Sequence, residues 1–594
     1  MASLQLGSYQ QHITPLTLAA TFIVSAVTYV FYLVWLRPHY FPRLKGIPGP
    51  PLKGWMMGHL ADMLADEPER AVRRWHEQYG KEKGAFRIVS AVGLERLVVT
   101  RYSTLKQILV NKPYEFPKPS WAARILQSVV GEGLLTYEGK PHRDLRMYMN
   151  KAFSQRHLQA QYELYHTPVQ NFLKIIRAEI DKGKGQTTMD MYAWSSRCLL
   201  DIIGRAAFGI EIDSLHHDKS PLGTAYHDLV SLQTAENLAA MILVMNLPFN
   251  VGSKTIYWLS SKPWGSDFLK SVVKWGSRVG LGFITNELKE MAIFVVSTQG
   301  SISIKRILAP RVLLEDHRKL TSPFLTQRSM YAISTVATEL REEKIAEAKK
   351  LGPNAVDMGK IDVLSLLVSA SILEDSAYKM TNEDVKNSVL TVLGAGHETT
   401  ASGCTWTLWL LAQHQDVQDR LRAECQELLS VYENPPFDKL KELPWLNAVV
   451  KESLRVEPPV PATVRQAKHD SVVDGIFIPK STIIFIPSLV INTDIYGPWG
   501  ADAHEFKPER WLNLPADYDA SVSLMTFITG AHGCIAKTMA QTEMALMTCM
   551  LIANFKFEAP PGYKPVRESS ITMRPVGGLP LLISHAPGRN AVAA

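Results

Sequence analysis

The sequence predicts one large domain built around long helices, and three observations carry that reading. Thr381 to His414 reads as one long helix: Thr381 stands as an N-cap with Asp384 three residues on, in the manner of a capping box, and Val385, Val389, Leu390, Val392 and Leu393 follow at helical spacing. A long apolar helical stretch follows Cys534, and Glu452-Ser453-Leu454-Arg455 sets opposite charges three apart on one face of another helix. With 594 residues, 46% hydrophobic and 20% charged, the chain has ample material for a large core, and no low-complexity linker or internal repeat divides it.

Taken in order, residues 1–15 form a short tail. Leu16 to Leu36 is a stretch without a charged side chain, long enough to cross a bilayer as a helix. A secretory signal would have a basic start and a shorter apolar core. Here Met1 to Pro15 contains no Lys or Arg, while Arg37, Arg43 and Lys45 follow the segment, so the bulk of the protein is expected on the cytosolic side of a single-pass anchor. Pro38, Pro42, Pro48, Pro50 and Pro51 stiffen residues 37–51 into a hinge, and 52–594 is the folded domain. In a eukaryote the anchor would sit in the endoplasmic reticulum membrane.

The formal net charge of +7 comes without a basic run interleaved with aromatics, so nucleic acid is not the expected partner. A mildly basic face beside an anionic membrane or an acidic redox protein is the simpler use. Five cysteines, Cys198, Cys404, Cys425, Cys534 and Cys549, with no C-x-x-C pair, argue against a disulfide framework.

One cysteine is set apart by its surroundings. The run Phe527-Ile528-Thr529-Gly530-Ala531-His532-Gly533-Cys534 puts Cys534 at the foot of a glycine-punctuated loop, directly before a helix whose positive N-terminal end favours a thiolate. On residues alone this competes evenly with an ordinary buried cysteine. The long helix carries Ala395-Gly396-His397-Glu398-Thr399-Thr400 in its centre. Gly394 and Gly396 cost about 1 kcal/mol each in a helix interior and so imply a close approach to its backbone, with Glu398 and Thr399 supplying an acid and an alcohol beside it. His397-Glu398 also suggests a zinc hydrolase, but H-E-x-x-H needs a second histidine where Ala401 stands. In Phe506-Lys507-Pro508-Glu509-Arg510-Trp511, Arg510 is placed to complete an ionic triad with Glu452 and Arg455.

In this order and spacing the motifs resemble the cytochrome P450 family, of the membrane-anchored eukaryotic and fungal type, from about Pro48 onward. The resemblance implies a mainly α fold with small β-sheets, haem b buried between the oxygen-activating helix and the cysteine-ligand loop, and a structural helix around Asp201–Gly209. By the same likeness Cys534 is the axial iron ligand and Phe527 packs near the sulfur in the loop that turns at Gly530. Glu452, Arg455 and Arg510 form the triad behind the haem, and Glu398 and Thr399 the acid-alcohol pair. Arg465, His532, His142 and Arg146 meet the haem propionates. His532 stands where arginine is commonest, Ala536 where glycine is, and His142 where tryptophan is; none of these departures removes the thiolate.

The implied activity is insertion of one oxygen atom from O2 into a lipophilic small molecule, as in secondary-metabolite biosynthesis, with electrons from NADPH through a flavoprotein reductase. A thiolate ligand favours O–O cleavage by donating electron density through the iron. The alternative is a reductase-independent haem-thiolate isomerase or dehydratase, which the intact Glu398-Thr399 pair disfavours. Expected pocket walls are Tyr114–Val130, Leu238–Val251, Leu393–Thr399 and Pro458–Val464, mostly apolar or aromatic. Lys140, Arg143, Lys151 and Lys537 are expected to dock the reductase. Residues 294–329 lack a clear period and read as an insertion or a retained intron.

Overall fold

The long helix begins where its capping residues direct. In the computed structural model, which describes residues 15–52, 58–90, 93–216, 322–351, 362–372, 381–569 and 571–587, the Asp384 N–H donates to Thr381 Oγ1 at 3.1 Å and the Thr381 N–H donates to the Asp384 carboxylate at 2.9 Å. Two otherwise orphaned donors are thereby satisfied, and the helix runs from Asn382 to Gln413.

In chain order, the elements that frame the interior are α1 (Pro15–Phe31), α2 (Arg70–Trp75), β1 (Ala85–Val89), β2 (Glu95–Val99), α3 (Ser120–Val130), α4 (Gly139–Met149), α5 (Glu163–Lys182), β3 (Gln186–Asp190) and α6 (Met191–Ile203). They continue with α7 (Ser322–Leu351), α8 (Val363–Ile372), the long helix α9 (Asn382–Gln413), α10 (Gln415–Val431) and α11 (Pro444–Val456). Then follow β4 (Thr463–Gln466), β5 (Ser471–Val473), β6 (Ile476–Ile478), β7 (Ile483–Ile486), α12 (Lys537–Asn554), β8 (Phe555–Glu558), β9 (Arg567–Ser569), β10 (Met573–Pro575) and β11 (Pro580–His585). The chain is thus mainly α with small sheets, as expected.

The largest sheet has the order β1-β2-β7-β4, parallel only between β2 and β7. Its side chains alternate between two cores. Ala85, Leu97, Ile484 and Ile486 face Leu105, Ile108 and Phe116, while Phe86, Ile88, Val98 and Phe485 face Ala71, Val72 and Trp75 of α2. The main core gathers α5, α6, α9, α11 and α12. Glycines on α9 set the helix spacing: a Cβ on Gly396 would lie 2.9 Å from Ile203 Cδ1 of α6, and one on Gly403 3.0 Å from Met544 of α12. The close approach implied by the glycine at 396 is therefore made by a neighbouring helix.

The N-terminal helix outlasts the expected 16–36. A wide turn over Tyr32–Leu36, in which the Arg37 N–H donates to Tyr32 O, carries the helix past Pro38 to Tyr40, because the i→i−5 register absorbs the missing proline donor. Ala20–Tyr40 is the one helix among the described residues long and apolar enough to cross a membrane, and Phe22, Ile23, Val24, Val27 and Val30 on it are exposed. The following chain lies along the large sheet: Leu44 is buried, the Arg87 N–H donates to Pro48 O at 2.7 Å, and Arg43 Nη2 donates to Lys480 O at 2.5 Å. Residues 1–14, the expected wall Leu238–Val251, and all of 294–329 except the helical 322–329 lie outside the described residues.

Candidate active site

The cysteine loop is built from two short 3₁₀ turns, Met525–Phe527 and Gly530–His532, ahead of α12. The Cys534 N–H donates to Phe527 O at 2.8 Å and closes the loop. Gly530 has φ +71°, and a Cβ there would meet Leu109 O at 1.9 Å, so only glycine lets the loop pass this close to the chain at 109–110. Between the turns Ile528 sits at φ +55°, a conformation costing a β-branched residue about 1–3 kcal/mol, which the surroundings must offset.

Those surroundings are explicit. Asn492, fully buried, accepts the Met525 N–H at 2.7 Å and donates to Thr526 Oγ1 at 2.9 Å, while Thr526 donates to Leu454 O at 2.6 Å. Behind them Glu452 receives Arg455 Nε at 2.8 Å, Arg455 Nη2 at 2.7 Å, Arg510 Nε at 3.0 Å, Trp511 Nε1 at 2.9 Å and the Lys507 N–H at 2.9 Å. Arg455 Nη1 reaches the Asn492 carbonyl at 2.9 Å, so the charged cluster and the cysteine loop share one asparagine. The structure brings Glu452, Arg455 and Arg510 together.

Cys534 itself is exposed by area yet closely surrounded by protein, which puts its sulfur on the wall of a recess. Burial pushes the thiol up, and the Ala536 backbone N–H and the Arg146 and Lys537 cations pull against that rise. Phe527 is partly buried, its ring 5.8 Å from Lys537 Nζ.

A second cluster adjoins the loop. His532 Nε2 meets Glu138 at 3.0 Å, Lys118 Nζ and its own backbone N–H donate to the same carboxylate at 3.1 and 3.0 Å, and the rings of His142 and His532 stack at 4.3 Å. Tyr114 OH lies 3.1 Å from His142 Nδ1. Burial alone would raise the Glu138 carboxyl; hydrogen bonding from His532 and the charge of Lys118 outweigh it and hold it at about 2. Burial also lowers His532, against the upward pull of its hydrogen bond to Glu138. Burial first, then the neighbouring His532 and Lys118 charges, push His142 down to about 3. Arg146 donates to Gly533 O, gripping the loop beside the cysteine, and to Asn150 at 3.3 Å. Arg465, 2% exposed, donates among the described residues to neutral oxygens, Thr463 Oγ1 at 3.0 Å and Val464 O at 2.7 Å. Among the described residues, the cations Lys118, Arg146 and Arg465 thus stand with the carboxylate of Glu138. That surplus of positive charge beside an accessible thiol fits a group that brings a metal for sulfur and carboxylates for arginine.

On α9 the acid and the alcohol point apart. Glu398 is buried, accepting from Tyr192 OH of α6 at 2.5 Å and from Thr572 Oγ1 at 3.1 Å, whereas Thr399 Oγ1 donates to Ala395 O at 2.8 Å. His397 binds Leu393 O at 2.9 Å, and burial lowers its pKa. The sequence reading missed Asn492, Thr526, Glu138, Lys118, Tyr192 and Thr572. Of these only Thr526, adjoining Phe527, and Glu138, one residue before Gly139, carried a local signal.

Comparison with known proteins gives the class to which this fold and site belong. The cytochrome P450 family model matches residues 48–254 and 303–580, and the chain belongs to the cytochrome P450 family. It is 29% identical over 567 residues to the cytochrome P450 monooxygenase sphH of Aspergillus fumigatus, covering 93% of this chain and 90% of that one. It is 29% identical to cytochrome P450 monooxygenase 205 of Postia placenta, covering 90% of each. To the ganoderic acid synthetase CYP5150L8 of Ganoderma lucidum it is 26% identical, covering 90% of this chain and 92% of the relative. The protein is accordingly a P450 monooxygenase, an oxidoreductase of a family that uses haem iron, O2, an organic substrate and a redox partner.

Proposed function

We propose that the protein inserts one oxygen atom from O2 into a lipophilic small molecule of fungal secondary metabolism, drawing electrons from NADPH through a flavoprotein reductase. It does so at the endoplasmic reticulum membrane, with residues 16–36 as anchor, 37–51 as hinge and 52–594 as the catalytic domain facing the cytosol. The observation that carries this reading is Cys534, an accessible thiol at the end of a loop whose backbone is fixed by Asn492 and Gly530. Haem b bound there supplies activation of O2 and transfer of one oxygen atom to a C–H bond or double bond.

In this reading Cys534 ligates the iron, with the Ala536 N–H stabilising its negative charge, and Phe527 shields the sulfur. Arg465, His532, His142 and Arg146 face the propionates; Arg465 is a buried cation whose two hydrogen-bond acceptors are both neutral oxygens. The Thr399 hydroxyl has acceptor capacity left after donating to Ala395 O, which suits it to hold a water or a protonated oxygen. Glu398 passes protons from outside only when Tyr192 and Thr572 release it, which makes it a gated general acid. Glu452, Arg455 and Arg510 hold the loop. Lys140, Arg143, Lys151 and Lys537 are all exposed and available to an acidic reductase face.

The test is Cys534→Ser. The reduced carbon monoxide complex of the native enzyme is expected to show the Soret band of a thiolate-ligated haem, and the variant is expected to lose it. A variant that keeps the band overturns the ligand assignment.

A further inference from the structure

Tyr192 stands in the first turn of α6, where its backbone is pinned. Asp190 caps the helix, accepting the Tyr192 N–H at 3.0 Å and the Leu579 N–H at 2.8 Å. The phenol then crosses to α9, its hydroxyl 2.5 Å from Glu398 Oε1. Arg574 of β10 hydrogen-bonds the same hydroxyl. A guanidinium only donates, so it takes the acceptor side of the phenol and leaves the phenolic proton to point at Glu398. Arg574 is steadied in turn by Glu568 of β9, its register partner, at 3.6 Å.

Thr572 Oγ1 donates to Glu398 Oε1 from a second side at 3.1 Å, and its place is set by the residue that follows. The Met573 N–H donates to Pro459 O at 2.7 Å, while Met573 O accepts Ser402 Oγ at 2.5 Å and Trp406 Nε1 at 3.2 Å, both from α9. Thr572 is therefore the fixed donor. Tyr192, at the end of a side chain that can rotate, is the donor able to leave first, after which Glu398 is held by Thr572 alone.

We propose that Tyr192, aimed by Arg574, is a positioning residue that holds Glu398 toward α6 and so sets how fast the acid supplies protons. This rests on the proton-carrying role proposed for Glu398 and deepens it. When the phenol turns away it keeps its own proton. Glu398 then swings off Thr572, takes a proton from solvent and gives it up on the Thr399 side.

Two measurements on the full-length, haem-loaded enzyme test this. Dicyclohexylcarbodiimide modifies protonated carboxyls released from their partners, and peptide mass spectrometry reads the modified fraction of Glu398 without reductase or substrate. NADPH consumption with a flavoprotein reductase in H2O and in D2O, without added substrate, reads proton supply. Tyr192→Phe is expected to raise modification of Glu398 about tenfold, to speed NADPH consumption and to shrink its solvent isotope effect. Arg574→Gln, which keeps the phenol but lets its hydroxyl turn, should shift both readings the same way by less, and carries the test if Tyr192→Phe does not fold. Thr572→Ser keeps the hydroxyl and should match the native enzyme. Tyr148→Phe removes another buried phenol hydroxyl, bonded to Leu367 O at 2.5 Å, and should lose similar stability with both readings native. Equal modification of Glu398 in the native enzyme and the variants overturns the proposal. Raised modification with an unchanged isotope effect overturns it too, since Tyr192 would then only support packing. The acid role of Glu398 is judged separately: Glu398→Gln with a native isotope effect rejects that role, whereas the modification reading does not depend on it.

Discussion

The two elements that carry the proposed chemistry are held in opposite ways. The cysteine loop is irregular backbone with a strained Ile528, and it is fixed by buried charge: Glu452 and Arg455, each 0% exposed, pass through the Asn492 carbonyl and side chain to Met525 and Thr526. The Thr399 segment of α9 satisfies its own backbone and is fixed by packing, with Gly396 against Ile203 and the hydroxyls of Thr399 and Thr400 bonded one turn back to Ala395 and Gly396. A loop that must present one sulfur at a fixed point needs partners with directional bonds. A helix that must hold and release protons needs only close neighbours and hydroxyls free to turn.

If that contrast is right, the largest effects belong to the charged side. Glu452→Ala leaves the buried Arg455 guanidinium without its carboxylate and Arg510 with Asp502 alone, and is expected to cost about 3–5 kcal/mol. Little haem-loaded protein should be recovered, as read from the reduced carbon monoxide band per milligram of chain. Near-native yield and band intensity would show that the cluster does not hold the loop.

Asn492→Ala comes next. It removes the acceptor for the Met525 N–H and one donor to Thr526 in a fully buried place, and is expected to cost about 1–3 kcal/mol. Because the carbonyl that receives Arg455 belongs to the backbone, the triad remains paired, so the loss should show as weaker haem retention with a smaller change in global unfolding. Equal losses in both measures would mean that Asn492 supports the fold at large.

Thr399→Ala tests the other side. Ala395 O loses one hydroxyl donor, while the helix keeps its ladder, so stability and the carbon monoxide band should remain close to native. Product formed per NADPH should fall severalfold, with hydrogen peroxide accumulating in solution instead. Unchanged coupling would remove Thr399 from the chemistry and leave it as a helix-facing hydroxyl.

The same contrast explains what the sequence disclosed. The capping box at Thr381 and Asp384, the triad partner three residues from Glu452, and the glycine beside the cysteine loop are local patterns, and spacing alone exposes them. Glu138 meeting His532, 394 positions away, or Thr572 meeting Glu398, 174 positions away, are pairings that no local spacing announces and that form only when the fold closes. The helix also runs on through Arg37 and Pro38 to Tyr40, beyond the uncharged stretch, through a wide turn over Tyr32–Leu36 that no spacing in the sequence announces.

The smallest effect probes the outer edge of the charged network. Asp502 receives Arg510 Nη1 at 2.9 Å and Lys507 Nζ at 2.8 Å, and these bonds, Arg510 foremost, hold its carboxyl down at about 2 against an ordinary value of 3.8. A folded-state value below the unfolded one stabilises the protein above about pH 3.8, and that contribution disappears as pH falls toward 2. The side chain is more than a third exposed, so solvent screens the gain and the effect at neutral pH should be slight. Asp502→Asn is therefore expected to lower the urea midpoint slightly at pH 7 and to narrow its gap from native as the pH drops from 4 to 3. A gap that stays constant across that range would mean that Asp502 acts through its shape and hydrogen bonds, and that the charge of the network ends at Glu452.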